Sequence, residues 1–429
     1  METSSAVQVE IALSRLSSSF GQHDLLPSAN PFKDEGCAEL DRMVNKQDYP
    51  DPEELASYVA VSVPLHCADG WLYLGSALSA LLRGDPAHAI HAAYYAELRA
   101  VTAVLARHGV GVFNHNHYVI SQDPISQNAA VNLVSRKSTH VFAWQAFDSW
   151  TETAGSSHFL EQTVQPAGVG MDQWLSALSF ASYPHARDWF DAIGFDLAHF
   201  ADDRRARNTV SYRPTALHFP HSLPYDECVA YVSELWRLLS PGMGGFDTFD
   251  SHFLQHTALR ASHFMGLRQH QRNARYTQAL KKLSVPVQHP SALLLTGARA
   301  GGPPRPFQEA VKTSQIGSAG QELQVISRAA ILLRLATGAV ESLLFAAGVD
   351  WGELDFWWDR LGVRLALWAP GRRPQAIDLW MDVEEAIDEA DNWIAANPSA
   401  CYHDLRQAEA LSLGVMCDAK RAMLWGMAG

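Results

Sequence analysis

Two histidines four residues apart form a metal-ligand spacing, because one helical turn puts both imidazoles on the same face. The chain has such a pair in His252 and His256, followed by His263 and His270, with Asp247 and Asp250 just upstream. On one continuous helix the four histidines fall within a narrow arc. Phe253, Leu254 and Gln255 separate the first pair, so the general-base glutamate of a zinc-protease helix is absent. A polar helix face is therefore the simpler reading, and a metal-dependent hydrolase built on His252 and His256 ranks third among the functions considered. The same stretch carries Arg260, Arg268, Arg272, Arg275, Lys281 and Lys282, interleaved with Gln269, Gln271 and Asn273. Arginine and amide side chains suit phosphate and ribose contacts, which makes this basic run a candidate RNA surface.

A second group follows a predicted helix over 185–206. That helix carries an apolar stripe of Trp189, Ile193, Leu197 and Phe200 and runs into Arg204, Arg205 and Arg207. The next residues are Asn208, Thr209, Val210, Ser211, Tyr212, Arg213 and Pro214. An arginine can hold and neutralise a phosphate while an imidazole moves protons on a 2′-hydroxyl and a leaving oxygen. Over residues 65–240 the chain resembles the HEPN family of helical RNases and RNA-binding proteins. Its members carry Arg, often Asn after it, and a His shortly downstream near the end of a long helix. The resemblance implies a helical fold, RNA cleavage across a homodimer without metal or other cofactor, and kinship with prokaryotic toxin and antiviral-defence modules. Arg207 and Asn208 match, the one to bind phosphate and the other to orient it. The histidine position holds Tyr212, whose ordinary pKa of about 10 suits proton abstraction poorly. Arg213 and His218 form a second Arg–His pair, but Pro214 disfavours helical geometry at Arg213. Tyr212 and His218 are thus the candidate proton-transfer groups. The competing structural reading makes Arg207 and Asn208 a helix end, with Asn as a left-handed cap.

Asp378, Asp382, Glu385 and Glu389 share a helical face, a solvated surface or a dock for the basic run. Trp351, Trp357, Trp358, Trp368, Trp380 and Trp393 surround it and read first as core, second as a protein–protein surface. Asn114-His115-Asn116-His117 has no recognised catalytic spacing. No phosphate-binding GxxxxGK[ST] loop, GxGxxG turn or GxSxG elbow occurs, which disfavours the common nucleotide-dependent and hydrolase classes.

These residues need elements to position them. Asp51-Pro52-Glu53-Glu54 is a helix start. Asp85-Pro86 starts a second helix that Arg107-His108-Gly109 ends, with Ile90, Tyr94, Leu98, Val101 and Leu105 on its buried stripe. With residues 69–82 it should form an antiparallel hairpin. Residues 110–120 suggest a small β-element, and further helices are predicted over 139–153, 172–182, 224–240, 248–282, 321–347, 374–396 and 403–427. The expected fold is mainly α with minor β: an arm over 1–50 and two helical parts, 51–245 and 246–429, divided at the Pro241-Gly242 break. Apolar residues make up 47% of 429, ample for packed interiors, and a net charge of −13 disfavours a surface basic all over. Five scattered cysteines, no leader and no uninterrupted apolar run of membrane-spanning length point to a cytoplasmic protein without a membrane partner. A non-catalytic subunit that holds a larger complex is the alternative function.

Overall fold

The computed structural model describes residues 3–214, 223–242, 245–297, 303–313 and 316–427. Its organising element is the helix Gln321–Ala347, where prediction placed one. Every residue from Gln321 to Val340 is buried, as befits a helix apolar on all sides. A window of mean hydropathy 1.6 makes it long and apolar enough to cross a bilayer, yet 78% of that window is buried inside the protein. Arg328 and Arg334 interrupt its apolar run while leaving the average high, so a search for unbroken runs passes over it.

The helical hairpin packs against this helix. Its first arm runs unbroken from Pro52 to Leu81 through Pro64, with the Asp51 carboxylate accepting from Glu53 N (2.9 Å) and Glu54 N (3.0 Å). Gly84, at φ +71°, makes the turn, and the Asp85 side chain accepts from His88 N at 3.0 Å to open the second arm, Pro86–Arg107. At Gly70 a Cβ would lie 2.6 Å from Leu333 Cδ2, so a larger residue there would force that side chain to shift where the hairpin meets the central helix. Gly109 (φ +80°) ends the second arm. The strands Val110–Gly111, His117–Gln122 and Ala129–Ser135 then form an antiparallel sheet in chain order, pairing Val110 with Val119 and Ile120 with Val131. The fold is thus mainly α with minor β, as expected.

Several boundaries differ from expectation. The 1–50 arm contains the helices Ala6–Ser14, Ser17–Phe20 and Gly36–Lys46, and buries Val9, Leu13, Phe20, Phe32 and Leu40 in the main core. The helix expected over 185–206 is two, Ala186–Ala192 and His199–Tyr212, because Gly194 takes φ +80°. The one expected over 248–282 divides into Asp247–Phe264 and Gln269–Lys282 at Gly266, φ +64°. The last, over 403–427, is three: Tyr402–Ala408, Ala410–Met416 and Lys420–Met427. At the expected division near 245 the core is continuous: Trp71 stacks on Phe246 (5.7 Å) and its indole nitrogen donates to Thr337 Oγ1 (3.1 Å).

Two buried ion pairs fix the central helix. Arg334 donates to both oxygens of Asp250 (2.9 and 2.7 Å) and to Thr163 O (2.6 Å). Arg328 donates to both oxygens of Asp203 (2.6 Å each) and to the carbonyls of Ala310 and Lys312. Removing one partner of such a pair leaves a buried charge uncompensated, at a cost of roughly 3–5 kcal/mol. Asp250→Ala and Arg334→Met should each lose about that much in urea unfolding, while the double variant recovers a large part of the combined loss. Purely additive losses would show that the two side chains do not act as a pair.

Candidate functional site

Asp196 opens the helix that carries the Arg207 segment, its Oδ1 accepting from Ala198 N at 2.8 Å. The helix does not end at Arg207 but continues to Tyr212. It stops where Arg213 turns extended (φ −125°, ψ 152°), the conformation that the following Pro214 imposes. Neither Arg207 nor Asn208 is therefore a helix cap. Asp203 anchors this helix through Arg328, one turn before Arg207. Beside Asp203 lies Glu97 of the hairpin, fully buried. Burial first, and the Asp203 charge second, push the Glu97 carboxyl well above its ordinary value. Glu97 thus holds its proton to higher pH than an ordinary carboxyl, beside an Asp203 whose charge Arg328 offsets.

One turn further along both helices the side chains are Tyr94 and Arg207. Arg207 is only 5% exposed, and among the described residues no carboxylate lies within ion-pair distance of it. Its Nε has no hydrogen-bond partner. Its Cζ lies 4.9 Å from the centre of the Tyr94 ring and 5.6 Å from that of Tyr95, so aromatic faces rather than an anion hold the cation. His140, at the start of the helix Thr139–Thr151, and His91 of the hairpin both pack on Tyr95, with ring centres at 5.8 and 5.0 Å. Tyr94 Oη is 3.2 Å from His140 Nδ1, and His91 Nδ1 is 2.9 Å from Ser211 Oγ. Arg204 adds a second cation without a carboxylate partner among the described residues.

Trp144 Nε1 donates to Tyr94 Oη at 3.2 Å, and the same hydroxyl meets His140 Nδ1. Burial, then the charges of Arg207 and Arg204, hold the His140 pKa down to about 4. Burial, then His88 and Arg207, lower that of His91. At neutral pH the cluster is two guanidinium cations beside two uncharged imidazoles. Such a group binds an anion and can exchange protons with it.

The structure therefore joins Arg207 and Arg204 to His91, His140 and Tyr94, none of which sequence spacing had linked to them. Of the residues predicted to serve it, Asn208 is exposed, Tyr212 is 79% exposed, and His218 lies outside the described residues. Tyr94 had appeared only as part of a core stripe, and His140 only at a predicted helix start.

The other candidates sit elsewhere. The Gly266 break removes His270 from the helix of His252, His256 and His263. His252 and His256 pack on Phe307, with ring centres at 6.1 and 5.3 Å. Among the described residues no three His, Cys, Asp or Glu side chains are grouped to hold a metal ion. In the basic run, Arg275 donates to Leu178 O (3.3 Å) and Ser179 O (3.2 Å), and Arg272 to His263 Nε2 (3.2 Å). Arg260 and Arg268 are exposed, and among the described residues neither makes an ion pair. The acidic helix Ala376–Ala396 pairs through Asp382 with Arg421 (2.7 Å) and through Asp391 with Arg237 (3.0 Å). His117 is structural: Nδ1 accepts from Phe113 N (3.1 Å), Nε2 meets Lys137 O (2.8 Å), and its ring stacks on Phe142.

No protein family, curated protein or solved structure matches the chain.

Two predictions separate the paired charges from the unpaired one. The folded Glu97 carboxyl holds its proton well above 4.5, the value near which the unfolded carboxyl ionises. Wild-type stability attributable to it therefore falls as pH rises through that value, and Glu97→Gln should gain on wild type from pH 4 to pH 8 in urea unfolding. A constant difference across that range would refute the raised Glu97 pKa. Arg207→Met should stay within about 1 kcal/mol of wild type despite burial, because no anion loses its partner. The same variant should raise the His140 pKa from about 4, read by NMR of the imidazole C–H groups.

Proposed function

We propose that the chain is an RNA-associated, HEPN-like cytoplasmic protein whose phosphodiester site is the Arg207 cluster. The observation that carries this reading is a guanidinium buried to 95%, with no carboxylate among the described residues and uncharged imidazoles around it. Burying a cation without a counter-ion costs stability, and an anionic ligand supplies what is missing.

In this reading Arg207 holds and neutralises the phosphate, with the charge of Arg204 nearby on the same helix. His91 accepts the 2′-hydroxyl proton at Nε2 as the oxygen attacks phosphorus, while His140 presents its Nε2 proton to the departing 5′-oxygen. The P–O2′ bond forms and the P–O5′ bond breaks, leaving a 2′,3′-cyclic phosphate and a 5′-hydroxyl. His91 and His140 thus replace Tyr212 and His218 as the proposed proton-transfer groups. The exposed Arg260 and Arg268, beside Phe264 (95% exposed), offer the RNA backbone a secondary contact. A homodimer, as the resemblance implies, is part of the proposal.

The exposed Phe264, Phe345 (89%) and Leu411 (88%) favour a second reading, a non-catalytic subunit of a larger complex. Incubation with a labelled RNA in EDTA distinguishes the two. Cleavage should leave cyclic phosphate ends, fall at least about 100-fold in Arg207→Met and in His140→Gln, and persist in Tyr212→Phe. Cleavage unchanged in Arg207→Met would remove the assignment, and absence of cleavage together with a stoichiometric co-purifying protein would favour the subunit.

A further inference from the structure

A cavity of ≈ 320 Å³ adjoins the Arg207 cluster, between the helices Thr139–Thr151 and His199–Tyr212. Trp144, Leu197 and Phe200 make apolar walls, with Gln145, Asp148 and Arg204 as its polar groups. Trp144 belongs to both places: its indole N–H holds Tyr94 in the cluster while its ring lines the cavity. Arg204 likewise lines the cavity, one turn before Arg207 on the same helix. The wall is rigid, because the Trp144 and Phe200 rings stack at 4.2 Å and 15°.

The polar groups are not equivalent. Gln145 Oε1 accepts from Lys137 Nζ at 2.7 Å, which leaves its amide protons to donate. Asp148 gives one oxygen, Oδ1, to Arg187 at 2.5 Å, and among the described residues its Oδ2 makes no further hydrogen bond. Arg204 makes no ion pair among the described residues and supplies a fork of donors. The cavity thus offers one planar apolar floor, one carboxylate acceptor and a set of donors.

Resting on the RNA reading above, we propose that this cavity is a nucleobase subsite selective for guanine in the nucleotide that bears the bound phosphate. Guanine is the base whose N1–H and N2–H groups both donate, matching Asp148, while its O6 and N7 both accept, matching an arginine fork. Adenine presents an amino donor where guanine has O6, and so faces Arg204 donor to donor. Pyrimidines leave much of the floor uncovered. Stacking supplies affinity common to all bases, and the Asp148 and Arg204 contacts supply the choice.

The test is calorimetric titration of the full chain with inorganic phosphate, ribose 5-phosphate, and the 3′-monophosphates of guanosine, adenosine, cytidine and uridine. Guanosine 3′-monophosphate should bind at least about tenfold tighter than inorganic phosphate and about tenfold tighter than the adenosine compound. Asp148→Asn, at an exposed position, should erase the preference for guanosine and leave phosphate affinity unchanged. Arg207→Met should weaken every ligand. If phosphate binds and a base adds nothing, or all bases add equally, the guanine subsite is refuted while the phosphate site stands. If phosphate itself does not bind, both fail. Retained guanosine preference in Asp148→Asn likewise overturns the proposal.

Discussion

The fold depends on two guanidinium groups sealed from water. Arg328 and Arg334 sit on one helix, and each is clamped by both oxygens of an aspartate from a different helix. Moving such charges out of water costs several kcal/mol apiece, and only bidentate geometry with added carbonyl acceptors offsets it. That geometry exists in one arrangement of the helices around Gln321–Ala347. Apolar packing would tolerate many near-equivalent arrangements of so many short helices. The ion pairs select one of them, which is a contribution to uniqueness more than to net stability.

Against this background Arg207 is the exception. It lies one turn from Asp203, on a helix whose position Arg328 fixes, and is itself buried while its neighbours His91, His140 and Arg204 are partly open to solvent. Burial and the neighbouring Asp203 charge raise the pKa of the Glu97 carboxyl, so that it holds its proton more tightly beside Arg207. Local rules of polar satisfaction are obeyed at Arg328 and Arg334 and broken here, and breaches of that kind concentrate where a protein meets a ligand. The aromatic faces of Tyr94 and Tyr95 hold the cation in place without neutralising it, which keeps its field directed at the imidazoles.

Much of the architecture was legible because its signals are local. Asp51-Pro52 and Asp85-Pro86 announce helix starts through capping chemistry, and Gly109 announces an end. Pro214 foretold the extended Arg213. The breaks at Gly194 and Gly266 were not legible, because a lone glycine is tolerated within a helix and only the left-handed conformation at these two shows the interruption. Those breaks mattered: one dissolved the four-histidine face, and the other placed Arg207 inside a short second helix. The site itself was legible only at Arg207. His91 and His140 reach it from other helices, so no spacing along the chain connects them, and the tyrosine where a histidine was sought is simply outside the cluster.

The position of the central helix has a consequence for how the chain reaches this structure. Trp71 bonds to Thr337 across 266 residues, and Asp203 to Arg328 across 125. The hairpin and the Arg207 helix are synthesised long before the element that buries them. During translation, at about 5–20 residues per second, the apolar face of the hairpin must wait many seconds for its partner. Contacts of such long range slow folding and prolong the exposure of sticky surface. Arg328, on a late-synthesised helix, is needed to hold the aspartate that orients the Arg207 helix. A site built this way stays incomplete until the chain that encodes it is nearly complete.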